Sequence, residues 1–355
     1  AMVMLEERGA VLDRLGVAVV DPRRAEGELL ATLVHLDRAA FDDAERIAIR
    51  VHHHAHSEGW PALEARAAQR LGRVALGRGN YDRALTLFSG ALSTLRDYGD
   101  RQGEYEARNG MAEVYYYQGP REQAAQAYRD NLTLASELGD QLAVAEAHWG
   151  LGYVAMWQSD MERARGHFEV MRQILTHRRA AYRLAQCYNA LGELARLGSQ
   201  FLEAERYYRE SLRLNEAYGT LGVVVNRLNI CMAQLARNET APVAEALPEL
   251  LAVARASLRH QDVAIGLCLS LALNASQGRF DDWDALLDEL TGILRDTRLS
   301  DGDVAMLLAR AGAEAALRTP SRARPVFELA RAQWSALGRA DRAADIDRAL
   351  AELPS

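Results

Sequence analysis

Four histidines crowd one short stretch, His52-His53-His54-Ala55-His56. His52 and His56 stand four residues apart, a spacing at which two imidazoles on one helix face can hold zinc. No cysteine and no carboxylate pair lies close by to complete the ligand set. Histidine in the last turn of a helix is also favoured by the helix dipole, so a solvated helix end is expected and no metal. The carboxylate pairs Asp42-Asp43, Asp281-Asp282 and Asp288-Glu289 fall near helix starts or on exposed faces, where acidic groups are stabilised without any catalytic task. General acid–base work needs groups that converge in a closed pocket, and nothing in their spacing brings them together. Cys187, Cys231 and Cys268 lack a CxxC spacing and read as small buried apolar residues. All 42 basic residues are arginine. A chain without lysine has no Walker A lysine, no pyridoxal-phosphate Schiff base and no kinase β3 lysine. GxSxG, HExxH, glycine-rich phosphate loops and EF-hand patterns are absent as well. The expectation is no catalytic residue, no cofactor and no enzymatic activity.

One constellation suits binding. Trp149, Tyr153 and Trp157 recur at i, i+4 and i+8 and so form one stripe on one helix. Such a stripe is either an exposed apolar patch of the kind that marks interaction sites, or extra core against a neighbouring element. The rest of the composition narrows the partners. The 355 residues are 49% apolar with a net charge of -7 and a mean hydropathy of -0.21. The acidic balance disfavours nucleic acid, whose binders neutralise phosphates with a basic excess. No apolar run is long enough to span a membrane, and the first residues lack the three-part pattern of a secretory signal. A cytoplasmic protein with no membrane partner is expected.

The elements that position these residues come from self-comparison. Leu71-Gly72, Ala75, Gly79, Tyr81, Ala84, Phe88 and Ala91 recur 40 residues later as Met111-Ala112, Tyr115, Gly119, Arg121, Ala124, Tyr128 and Asn131. The next shifts give Leu151-Gly152, Ala155, Ser159, Met161, Ala164, Phe168, Met171, and then Leu191-Gly192, Ala195, Ser199, Phe201, Ala204, Tyr208, Ser211. The register also extends back to Ala31-Thr32. Small residues such as Gly72 and Ala84 let two helices of a hairpin approach, and large ones such as Leu71 and Phe88 fill the space around that contact. Gly79 or Ser159 ends a first helix where a positive φ is needed, and Gly59, Gly99, Gly139 and Gly219 break the chain before the next repeat.

This pattern resembles the tetratricopeptide repeat. The period is 40 rather than 34, and the proline common near the end of that repeat is missing, so both helices should be about one turn longer. Long repeats of this type are similar to those of kinesin light chains, bacterial peptide-pheromone receptors and the sensor regions of large bacterial transcription activators. The resemblance implies an all-α, right-handed α-solenoid (superhelix) of about eight helical hairpins with terminal capping helices. Residues 1–24 would be an N-terminal cap, 25–224 five clear repeats, 225–339 three degenerate repeats and 340–355 a C-terminal cap. Pro242 suits a first helical turn, whereas Pro248 should kink or delay its helix.

The resemblance also implies that the first helix of each hairpin lines a concave groove. Its candidate ligand-binding residues are Asn109, Glu113, Tyr117, Trp149, Tyr153, Trp157, Asn189, Glu193, Arg196 and Asn229, with Arg66 and Arg73 as a basic end. Asn109, Asn189 and Asn229 recur at one register position. A side-chain amide there can pair with the backbone of an extended ligand, or can be a tolerated polar residue on a wet face. The implied function is a non-catalytic scaffold for a protein or an extended peptide. The alternative is a region of a larger bacterial transcriptional or signalling regulator that senses a peptide or a small effector.

Overall fold

The computed structural model describes residues 2–16, 21–37, 40–118, 121–218, 222–256 and 259–354; Gly119 and Gly219 lie outside the described residues. Among the described residues the chain forms eighteen α-helices and no strand. It divides into two compact units, one up to Ala181 and one from Tyr182 onward.

The first unit opens with α1 (Met2–Arg14) and continues as four helical hairpins. These are α2 (Pro22–Asp37) with α3 (Phe41–Ser57), α4 (Pro61–Gly77) with α5 (Tyr81–Asp97), α6 (Arg101–Gln118) with α7 (Arg121–Leu138), and α8 (Gln141–Trp157) with α9 (Met161–His177). Two chemical devices make the links between helices short. At the end of α4 the Gly79 φ is +73°, which only glycine adopts without strain. The Asn80 N–H then returns to the Ala75 carbonyl at 2.8 Å and the Gly79 N–H to Leu76 at 2.9 Å, the bonding of a Schellman stop. Asn80 itself caps α5 by accepting from the Arg83 N–H. Asp140 and Asp160 do the same for α8 and α9. Ser159 and Ser199, which the sequence aligns with Gly79, take positive φ as well.

An aromatic on α5, α7 and α9 is the wedge of the stack, where α3 carries Ala48. Phe88, Phe168 and Tyr128 are at most 1% exposed. A Cβ on Gly72 would lie 2.7 Å from the Phe88 ring, one on Gly152 2.4 Å from Phe168, and one on Gly150 2.3 Å from Tyr128. Glycine is therefore required there for close approach of helix to ring.

The second unit holds α10 (Ala181–Leu197) with α11 (Phe201–Tyr218), α12 (Gly222–Ala236) with α13 (Thr240–Ala256), α14 (His260–Ser276) with α15 (Trp283–Thr297), α16 (Gly302–Ala316) with α17 (Pro320–Ala336), and a last helix α18 (Ala340–Ala351). Tyr208 packs on Gly192 in the same way as in the first unit. Helix α14 is buried almost all round, so its apolar residues show no one-sided helical period. Pro248 neither delays nor ends α13, which runs through it; the burial of Val243, Leu247, Leu250 and Leu251 around it outweighs the one backbone bond it forgoes. All three cysteines are buried and free. Among the described residues, no helix is long and apolar enough to cross a membrane.

Candidate functional site

In the first unit α4, α6 and α8 lie side by side and carry a chain of polar contacts. Arg73 on α4 donates to the Glu113 carboxylate on α6 at 2.5 Å. The Asn109 amide donates to Glu113 at 2.9 Å and across to Glu146 on α8 at 3.2 Å. The Tyr105 hydroxyl donates to the Ala143 carbonyl at 3.0 Å and lies 3.4 Å from a Glu146 carboxylate oxygen. Burial acts to lower the pKa of Arg73, but Glu113 and Glu146 outweigh it and hold the guanidinium firmly charged. Arg73, Asn109 and the two carboxylates thus form one polar chain across the three helices. Asn109 is 1% exposed and its carbonyl oxygen has no hydrogen-bond partner.

Beside this polar chain stands an aromatic one. The Tyr116 and Trp157 rings stack at 4.3 Å, Trp149 and Tyr153 meet at 4.9 Å, and Tyr153 reaches Phe168 at 5.4 Å. On the other side Tyr117 stacks on Tyr81 at 5.8 Å and touches Tyr116 edge-on. Trp149, Tyr153 and Trp157 are half-buried, and Tyr117 is exposed. The stripe is therefore neither a bare patch nor closed core: its rings pack on one another and keep part of their surface in water. Tyr81 and Tyr105 were not among the expected site residues. The repeat register marks Tyr81 as a packing position, and only the neighbouring helix shows that its ring continues the aromatic row.

The expected basic end is charge-compensated. Arg66 donates through Nε to Asp100 at 2.7 Å, and Arg73 is held by Glu113. The cause lies in the stacking, which sets each arginine against a carboxylate of the next hairpin.

In the second unit the asparagines bond to one another. Asn189 donates to Glu193 at 2.6 Å, and its carbonyl accepts from Asn226 at 3.0 Å and from Asn229 at 2.9 Å. The Asn226 carbonyl in turn accepts from Ser211 at 3.0 Å and from Asn215 at 2.7 Å. Asn226 and Asn229 are buried and Asn189 is half-buried, so this row serves as an internal polar seam. Arg196, expected on an open groove, is buried instead. It donates to Asp303 at 2.6 Å and to the Tyr208 hydroxyl at 3.3 Å, tying α10 to the first turn of α16.

The histidine run places His56 Nδ1 3.0 Å from Glu64 and His52 3.8 Å from the same carboxylate. Among the described residues no three His, Cys, Asp or Glu side chains are grouped to hold a metal ion. A second histidine pair escaped the sequence reading because it lacks helical spacing: His148 Nδ1 lies 2.9 Å from His167 Nδ1 across α8 and α9. Burial, and then the neighbouring ring, push the His148 pKa down to about 4.

No protein-family model matches this sequence, and no curated protein matches it. Solved structures do. A Rap protein complexed with competence and sporulation factor is 13% identical, with a TM-score of 0.61, over 92% of this chain and 97% of that one. NprR in complex with its cognate peptide NprX is 13% identical, with a TM-score of 0.62, over 83% of this chain and 86% of that one. A signal transduction ATPase with a tetratricopeptide repeat sensor, from Pyrococcus horikoshii, is 11% identical with a TM-score of 0.63. It covers 91% of this chain and is itself covered over 50% of its length. The chain has the tetratricopeptide-repeat fold. Within such a fold, α4, α6 and α8 are first helices of their hairpins, and the acidic and aromatic rows lie along the tetratricopeptide-repeat face they form.

Proposed function

We propose that this chain is a non-catalytic binding scaffold that holds an extended peptide on the face made by α4, α6 and α8. The observation that carries the reading is the pairing of an aromatic row (Tyr117, Tyr116, Trp157, Tyr153 and Trp149) with the carboxylates of Glu113 and Glu146. Half-exposed rings supply contact area at low entropic cost, and carboxylates beside them favour a basic partner. A peptide with arginine or lysine beside leucine-like side chains matches both. In this reading Asn109 ties Glu113 to Glu146 from beneath the face, Arg73 fixes Glu113, and Asn189, Glu193, Asn229 and Arg196 hold the second unit together. Arg66 stands apart from this face.

The fold neighbours support peptide as the ligand class, since a Rap protein and NprR are each seen with a peptide factor. A second reading, a sensing region of a larger regulator, draws support from the ATPase whose repeat sensor forms part of a longer chain. Both readings share the same face. The test is titration of a fluorescein-labelled peptide of alternating arginine and leucine, against the same peptide with glutamate for arginine. The basic peptide binds at least about tenfold more tightly, and Glu146→Gln with Trp157→Ala removes the difference. Equal affinity for the two peptides overturns the reading.

A further inference from the structure

A cavity of about 490 Å³ opens at the end of the first unit where α2 and α4 begin and α5 ends. Glu26, Trp60, Leu63, Arg66, Tyr98 and Asp100 are among the residues that line it. Its size is within the range of small-molecule and side-chain sites.

Two aromatic side chains border it, and Trp60 also packs on the cluster of Ala25, Leu29, Val51 and Leu63 and meets His54 edge-on at 5.2 Å. Trp60 holds the N-cap position of α4 and makes no side-chain cap bond. At the corresponding links Asn80, Asp140 and Asp160 all cap their helices, and Asp100 accepts from the Gly103 N–H. A capping residue is thus replaced by the largest aromatic side chain, half-buried at the cavity. Tyr98, at the C-terminal end of α5, is 61% exposed, so its ring is largely unused by the core.

The charges divide clearly. Asp100 has both oxygens engaged, one by Arg66 Nε at 2.7 Å and one by the Gly103 N–H at 3.0 Å. That pair is self-compensated and makes one rigid wall. Glu26 remains, with its side chain 50% exposed. Its neighbouring cations are Arg8 at 3.7 Å, which spends its hydrogen bond on the Arg23 carbonyl at 2.9 Å, and, more distantly, Arg66 of the same cavity. A cavity with two aromatic rings and one half-exposed carboxylate is chemically matched to a cation, because ring faces and carboxylates both attract positive charge.

We infer that this cavity is a second binding site, distinct from the α4–α6–α8 face, and that it takes an organic cation of the guanidinium or alkylammonium class. Glu26 supplies the counter-charge, Trp60 and Tyr98 supply the aromatic walls, and the Arg66–Asp100 pair positions the floor. The cation is either the side chain of a basic residue in a partner or a free small amine, and both present the same head group.

The test is calorimetric titration of the full chain with N-acetyl-arginine methylamide, n-butylguanidine and the neutral N-acetyl-norleucine methylamide. The two cations bind, and the neutral probe binds at least about fivefold more weakly. Glu26→Gln and Tyr98→Ala weaken both cations about fivefold or more with unchanged helix content, while Trp60→Phe retains binding that Trp60→Ala loses. Trp157→Ala leaves the site intact, which separates its failure from that of the peptide-binding face. Tighter binding of the acetylated residue assigns the site to a protein or peptide partner, and equal binding assigns it to a free amine. Equal affinity for the neutral probe, or full affinity in Glu26→Gln, overturns the inference.

Discussion

Removing the Asp303 carboxylate strands a charge in the second unit. Arg196 has a side chain 6% exposed, and its bonds run to Asp303 at 2.6 Å and to the neutral Tyr208 hydroxyl at 3.3 Å. Breaking a buried pair from one side costs about 3–5 kcal/mol, because the remaining ion is left desolvated. Asp303 is itself 29% exposed, so water reaches the gap and the loss falls near the lower end, about 3 kcal/mol. In a repeat protein the loss is read locally rather than as one global transition. Amide hydrogen exchange followed by mass spectrometry should therefore show α10 and α16 opening about 100-fold more readily in Asp303→Ala. Arg196→Met with Asp303→Ala removes the stranded charge while keeping the apolar stem. It should recover at least about tenfold of that loss. Unchanged exchange in Asp303→Ala, or a double variant no better than the single one, refutes the placement of Arg196 as a structural tie.

Further expectations concern the polar seam, the helix contacts and the histidine pair. Asn226→Leu removes the Asn226 bonds to Asn215 and Asn189, while Ser211 keeps the Ala185 carbonyl, and should cost about 1–3 kcal/mol in urea denaturation; a change within error contradicts the seam. Gly150→Ala places a methyl 2.3 Å from the Tyr128 ring and should cost about 1–3 kcal/mol, visible as a lower Tm, whereas Gly166→Ala, with open space around its Cβ, should not lower it. His148 titrates at about 4 folded against 6.5 unfolded, so the unfolded chain binds the extra proton between those values. Stability from this group is complete above pH 6.5 and is lost as pH falls toward 4, following proton linkage. The Tm of His148→Gln should therefore fall less over that window than the wild-type Tm, and parallel curves would contradict the half-buried, neutral His148.

The repeat register made most of the fold legible because hairpin packing is local and recurs. Gly72 beneath Phe88, Gly152 beneath Phe168 and the left-handed Gly79, Ser159 and Ser199 follow from chemistry that each repeat must satisfy separately. Pro248 misled, since a helix flanked by buried leucines tolerates one missing backbone bond. The site was less legible. Trp149, Tyr153 and Trp157 were visible as a stripe, yet their exposure depends on Tyr116 and Phe168 from other helices. The asparagine row was visible too, but its partners Ser211 and Asn215 lie on a second helix outside the groove pattern. Arg196 meets Asp303 more than two repeats away, a contact with no periodic signature. Trp60 was silent because a single residue in place of a cap leaves the helix pattern around it unchanged.

The most direct test of the proposed peptide-binding face is where a bound peptide lies. The arginine–leucine peptide, carrying one benzoylphenylalanine, is photo-cross-linked to the full chain and the adducts are mapped by mass spectrometry. The account predicts adducts on α6 and α8, between Asn109 and Tyr117 and between Glu146 and Trp157, that disappear when unlabelled peptide competes. Adducts confined to α7 and α9, or to the second unit, would contradict it.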